Sequence, residues 1–227
     1  MNYVRQLDKT REEKPLLFSY RRCPYAMRAR MAIHTSQIKC ELREVLLRNK
    51  PKEMISISPK GTVPVLLLDD GTMIDESIDI MKWSFSLNDP LLILKEYQEK
   101  KNEMDRLIQL FDSSFKNYLD RYKYSNRYEN EDPIGNRDLA IQILDKIEGQ
   151  FNNHNLLYGD RFSFVDMAIL PFVRQFRIAD TDWFDNDMAL PKIQQWLNKF
   201  LNSNLYLAVM NKYKVWENNA PVVYFPK

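Results

Sequence analysis

The stretch VPVLLLDDGTMIDESIDIM, Val63–Met81, decides the fold. An apolar run is followed by Asp69-Asp70-Gly71 and a second short apolar run, the pattern of two strands joined by a tight hairpin. Glu76-Ser77 then opens a segment whose apolar residues recur at helical spacing, through about Phe85. The unit is strand, strand, helix.

Working backwards, LLFS (Leu16–Ser19) has the composition of a short buried strand, and Pro24 to about Ser36 that of a helix. Pro24 falls in the first helical turn, where its missing N–H costs nothing. CELREVLL (Cys40–Leu47) predicts a second strand, and PKEMISI (Pro51–Ile57) a short helix opened by proline. Residues 1–85 therefore predict β-α-β-α-β-β-α, a small α/β domain. SLNDPLLI carries turn residues, and residues 86–94 serve as a linker. Beyond it strand signals vanish. Residues 95–227 predict an all-α helical bundle, with helices over Lys95–Tyr122, Gly135–Asn152, Phe164–Ala179, Pro191–Asn202 and Leu205–Tyr213. KYSNRYENEDP separates the first two as a polar loop, and the tail, with Trp216 and Tyr224, is expected to pack back on the core.

The chain has 227 residues with 33 basic and 31 acidic side chains, a formal net charge of +2. That balance argues against nucleic acid or an acidic lipid surface as a partner held by bulk charge. No run approaches the roughly 20 apolar residues of a membrane span, so no membrane partner is expected. The opening MNYVRQLDKTREEKP lacks an apolar core segment, and no signal peptide is expected there. Two cysteines suit a reducing, cytoplasmic setting better than a disulfide framework. His34 and His154 stand in no Cys-His spacing, so no metal is expected and each is taken as an ordinary helix or loop residue. Five glycines form no phosphate-binding loop.

The chemistry centres on SYRRCPYAMRARMAI, Ser19–Ile33. Cys23 sits where a strand turns into a helix, and a thiolate is favoured at a helix N-terminus. Arg21, Arg22, Arg28 and Arg30 add positive charge nearby. A lone cysteine in such a turn suits either an inert buried residue or a nucleophile. Cys40 opens the strand parallel to the first, which puts the two sulfurs at opposite ends of neighbouring strands. Four residues of strand span ~13 Å, too far for the ~4.4–6.8 Å Cα separation of a disulfide. Cys40 is a small core residue, and the motif is monothiol.

Four pieces, CPYAMRAR, RNKPKEM, GTVPVLL and DESIDIM, resemble in order and spacing the glutathione transferases, most of all their cysteine-type, omega-like branch. FSFVDMAILPFVRQF (Phe162–Phe176) extends the resemblance into the helical half. It implies a thioredoxin-like N-terminal domain, glutathione as substrate, a homodimer and Cys23 as the catalytic residue. Val63-Pro64 resembles the family's Val-cisPro pair, which implies that Val63 bonds the cysteinyl backbone of glutathione beside Pro64, as an added strand would. Glu76 and Ser77 suit its γ-glutamyl end: backbone N–H groups and a hydroxyl for the carboxylate, an acid for the amine. The same residues would also serve as a plain helix start. Lys50 matches the lysine that meets the glycyl carboxylate, with Arg48, Lys52 and Lys60 as alternatives.

Ser163 and Asp166 form a capping box with Asp in place of Glu, flanked by Phe162 and Met167. Its role is folding, so Asp166 is not assigned to catalysis. Phe111, Phe115, Tyr118 and Tyr122 recur at helical spacing, suiting either core or the wall of an apolar co-substrate pocket. Tyr25, Phe115, Tyr118, Tyr122 and Phe172 are the candidates for that wall, with Phe176 able to join them. With cysteine where other transferases use Tyr or Ser, the resemblance implies thiol–disulfide exchange with a mixed disulfide, or reductions of the dehydroascorbate type. The alternatives are glutathione conjugation to a small electrophile, or a weakly active binding protein on the same fold.

Overall fold

A computed structural model describes residues 14–151 and 155–227. The expectations for the N-terminal opening, for His154 and for the helix end at Asn152 lie outside the described residues. The chain forms two compact units, one running to Leu91 and taking in Asn204–Lys227, the other Leu92–Ser203.

In the first unit, β1 (Leu16–Ser19), α1 (Pro24–Thr35), β2 (Cys40–Glu44), α2 (Lys52–Ile57), β3 (Val65–Leu67), β4 (Met73–Ile74) and α3 (Ser77–Leu87) follow the predicted order. β1 is completely buried, as an apolar run without alternation requires. It pairs parallel with β2 and antiparallel with β3. The hairpin closes through a bond from Leu68 N–H to the Thr72 carbonyl, 2.8 Å. Gly71 supplies the positive φ of 87° that the turn demands. This α/β sheet with its helices is the thioredoxin-like fold expected.

Strand β2 stops three residues early. Residues beyond Glu44 turn back, with Leu46 bridged to Asn49, and Leu47 is exposed. The larger correction concerns the tail. Residues 95–227 were expected to form one helical domain, yet the tail belongs to the first unit. α11 (Asn204–Val209) packs on α1, and β5 (Tyr224–Phe225) pairs antiparallel with β2. Among the described residues the sheet thus has five strands, in the order β4-β3-β1-β2-β5. The tail is anchored by buried charge. Arg30 pairs with Glu44 and donates to the Val209 carbonyl at 3.2 Å, and Arg21 Nη1 donates to the Met210 carbonyl at 3.1 Å.

The second unit is all helix: α4 (Ile93–Glu99), α5 (Lys101–Leu110), α6 (Lys116–Lys123), α7 (Pro133–Glu148), α8 (Phe164–Ala179), α9 (Thr181–Asn186) and α10 (Pro191–Leu201). The single helix predicted from Lys95 to Tyr122 is therefore divided. Lys100 leaves helical geometry at φ −114°, ψ 23°, and Phe111–Phe115 widens into a π-helical turn. The linker is also shorter than expected, since α3 runs to Leu87 and α4 starts at Ile93. No helix among the described residues is long and apolar enough to cross a membrane.

Candidate active site

The site is built on two helix starts and one loop of the first unit. Cys23 is the N-cap of α1 and adopts extended backbone (φ −73°, ψ 126°), with Pro24 at the first position. It makes no side-chain capping bond. Its backbone N–H instead closes the preceding turn onto the Tyr20 carbonyl at 3.0 Å. First-turn N–H groups of a helix have no intrahelical partner, so the helix presents its positive end here. Half-buried, Cys23 rests against the apolar cluster of Leu16, Phe18 and Val63, with Tyr20 beside it.

The loop is Val63-Pro64. Their peptide bond is cis, and Val63 is buried. Cys23 Sγ donates to the Val63 carbonyl at 3.6 Å, so the thiol and the residue before the cis proline meet directly. The second helix start is α3, capped at its N-terminus by Glu76 in extended backbone with no side-chain capping bond. Ser77 is buried, and its Oγ accepts from Arg28 Nη1 at 3.3 Å. Arg28 lies on α1, with its guanidinium 5.2 Å from the Tyr25 ring centroid. One buried arginine thus ties the helix that carries Cys23 to the start of α3.

The predicted cations divide. Lys60 pairs with Glu76, and that hydrogen bond raises the Lys60 pKa. Both side chains are largely exposed, so the pair is weak and open to exchange. Lys50 is exposed, its Nζ 3.9 Å from the point where a Cβ on Gly61 would stand. The arginines near Cys23 are mostly structural: Arg30 is fully buried against Ser19 Oγ (2.8 Å) and Glu44, and Glu44 also accepts from the Arg21 backbone N–H at 2.7 Å. Neither the Arg28 link nor the Glu44 anchor was assigned from sequence. The only signal was arginine recurring within an otherwise apolar helix.

The other cysteine behaves as expected. Cys40 is fully buried in β2, donates to the Phe225 carbonyl at 3.3 Å, and has its thiol pushed up to about 12 by burial. Neither cysteine is in a disulfide.

The aromatic wall needs a correction. Phe115 and Phe172 have no exposed surface; Phe115 packs 4.4 Å from Phe111 and 5.7 Å from Phe176, ring to ring, in the core of the second unit. They fill space rather than face it. Tyr25, Tyr118 and Tyr122 keep partial exposure. Asp166, fully buried, accepts from Ser163 N–H (2.8 Å), Ser163 Oγ (2.6 Å), Leu157 N–H (3.3 Å) and Trp196 Nε1 (2.8 Å), completing the capping box. Burial raises its pKa, and those bonds oppose the rise. Among the described residues no group of three or more His, Cys, Asp or Glu is placed to hold a metal.

Comparison with known proteins agrees with this fold. Residues 17–90 match the glutathione S-transferase N-terminal domain and residues 125–199 its C-terminal domain. The chain is 24% identical to a probable glutathione S-transferase, MSR-1, of Nicotiana plumbaginifolia, over 89% of this chain and 92% of that one. It is 25% identical to glutathione S-transferase omega-1 of Mus musculus, over 80% and 74%. A glutathione transferase family member from Pseudomonas fluorescens, solved with two glutathione bound, superposes with a TM-score of 0.76 at 15% identity, covering 91% of this chain and 96% of that one. The chain belongs to the glutathione S-transferase family, with both of its domains present and glutathione as the family's substrate.

Proposed function

We infer that this chain is a glutathione-dependent thiol transferase in which Cys23 carries the glutathionyl group. The observation that carries the reading is the cysteine at the N-cap of α1, its sulfur against the carbonyl of the residue before the cis proline. Glutathione lies extended along Val63-Pro64. Its γ-glutamyl carboxylate meets the start of α3 and Ser77, its α-amino group displaces Lys60 from Glu76, and its glycyl carboxylate meets Lys50. Loss of the Cys23 proton frees the Val63 carbonyl to accept a peptide N–H of the ligand.

The Cys23 thiolate attacks the glutathionyl sulfur of a mixed disulfide R–S–SG. The Cys23–SG bond forms, the S–S bond between the RS and SG sulfurs breaks, and the thiolate RS⁻ leaves and takes a proton to become RSH. A glutathione thiolate then attacks Cys23–SG, releasing oxidised glutathione and restoring the Cys23 thiolate. One protein cysteine suffices because the resolving thiol comes from solution. Tyr25, in the same unit as Cys23, remains a candidate for contact with the R group. A reducing compartment such as the cytoplasm would keep both thiols free, and a homodimer is part of the same reading.

The test is deglutathionylation of a glutathionylated peptide, coupled to glutathione reductase, beside conjugation of chlorodinitrobenzene. Fast deglutathionylation that Cys23→Ser abolishes supports thiol transfer. Fast conjugation that survives Cys23→Ser makes the chain a conjugating transferase. Absence of both activities, with retention on immobilised glutathione, makes it a binding protein. Sedimentation equilibrium reads the dimer.

A further inference from the structure

The Lys60–Glu76 pair has a fixed base and free ends. Lys60 lies in the turn between α2 and β3. Gly61 N–H donates to the Ser58 carbonyl at 2.9 Å and closes that turn, with Gly61 at φ 63°. A side chain at Gly61 would be strained, and its Cβ would stand 3.1 Å from Ile55 Cδ1. The buried Ser58 donates from Oγ to Asp75 Oδ2 at 2.7 Å, which ties the turn to the residue before Glu76. The backbones that carry Lys60 and Glu76 are therefore held side by side. Their side chains are 45% and 64% exposed, so the two charged ends can part.

Glu76 is the N-cap of α3, yet its carboxylate makes no capping bond and is given to Lys60 instead. The bond to Glu76 and the charge of nearby Asp75 both raise the Lys60 pKa and keep it an ammonium. A γ-glutamyl end carries an ammonium and a carboxylate on one carbon. Were its ammonium to take Glu76 while Lys60 stayed in water, one exposed ion pair would replace another, with almost no net gain. Were Lys60 to turn to the carboxylate, two ion pairs would replace one and no charge would be stranded. The flexible four-carbon stem of lysine permits that turn. The second pair is also the better one. In the free protein two mobile side chains lose freedom to meet, whereas a carboxylate seated at Ser77 and the start of α3 costs only the lysine its freedom.

We propose that Lys60 and Glu76 form a clamp that opens for an α-amino-acid head, Glu76 taking the ammonium and Lys60 the carboxylate, and that Lys60 selects ligands carrying that carboxylate. The clamp rests on the glutathione site proposed above. It moves Lys60 from the glycyl end, where the sequence allowed it, to the γ-glutamyl end, and gives it no part in the thiol chemistry. The test is calorimetric titration of wild type and Lys60→Met with two ligands. One is S-methylglutathione. The other, 4-aminobutanoyl-S-methylcysteinylglycine, differs only in lacking the α-carboxylate. Lys60→Met should weaken S-methylglutathione about fivefold and should not weaken the second ligand. Lys60→Arg should keep most of the affinity, and the fivefold difference should shrink in ~1 M salt. In deglutathionylation, Lys60→Met should raise KM for glutathione several-fold with kcat unchanged. Three results would overturn the clamp while leaving the glutathione site standing: tighter S-methylglutathione binding by Lys60→Met, which makes Lys60 only a competitor for Glu76; an equal loss for both ligands; or no loss for either. No binding of S-methylglutathione to wild type would overturn the site and the clamp together.

Discussion

Two helices of this chain begin in opposite ways. At the start of α8, Ser163 and Asp166 satisfy each other, and the fully buried Asp166 also receives Leu157 N–H and Trp196 Nε1. At the start of α1, Cys23 makes no side-chain cap and stands half-buried with its sulfur toward Val63. A helix start whose donors are consumed internally contributes to folding. A start without a side-chain cap is found also at α2, α3 and α10; what sets α1 apart is that the capping residue is a cysteine. Ser, Asp or Asn would cap α1 better than cysteine does, so the choice of cysteine there forgoes stability that α8 keeps.

Substitutions at the two starts should therefore separate activity from stability. The largest effect is expected for Cys23→Ser: deglutathionylation falls by ~10³-fold, about 4 kcal/mol in the barrier. Thermal unfolding should show it at least as stable as wild type, because serine caps the helix. A clear fall in its melting temperature would break the comparison. Asp166→Ala should do the reverse. It strands buried donors around a former carboxylate and should cost about 3 kcal/mol in urea unfolding, with activity per folded molecule unchanged. Ser163→Ala sharpens the same point at about 1 kcal/mol. At the third start, α3, Glu76→Gln should raise KM for glutathione several-fold, roughly 1 kcal/mol, and leave the melting temperature alone. An unchanged KM would leave Glu76 as the exposed partner of Lys60 and nothing more.

The cysteines extend the contrast to pH. Burial pushes the Cys40 thiol up to about 12, so native protein treated with iodoacetamide between about pH 7 and about pH 9 should be labelled at Cys23 alone, since only the thiolate reacts. Peptide mapping reads the outcome. Label at Cys40 under native conditions would contradict its place in the sheet.

Much of the site was legible because its signals are local. Leu16–Phe18 is an unbroken apolar run, Pro24 marks a helix start, Asp70-Gly71 marks a turn, and Ser163 with Asp166 spells a cap within four residues. The parts that were missed are held by distant partners. Tyr224–Phe225 is a strand only because β2 offers an edge, and two residues carry no period of their own. The break at Lys100 has neither Gly nor Pro to announce it; Tyr97, just before it, is fixed by stacking on Phe164 at 4.3 Å and by donating to Asp105 at 2.6 Å. Phe115 and Tyr118 share a helical pattern, and only packing separates the buried ring from the half-exposed one. Arg28 and Arg30 lie two residues apart on α1, yet one reaches Ser77 and the other Glu44. Spacing along the chain does not contain that difference.

The most direct test of the central claim is to trap the intermediate. Protein incubated with oxidised glutathione should show by mass spectrometry one glutathionyl group per chain, mapped to Cys23 and removed by reduced glutathione. Cys23→Ser, with Cys40 intact, should take none. Failure of wild type to form that adduct, or an adduct of equal yield on the Cys23→Ser chain, would contradict the account.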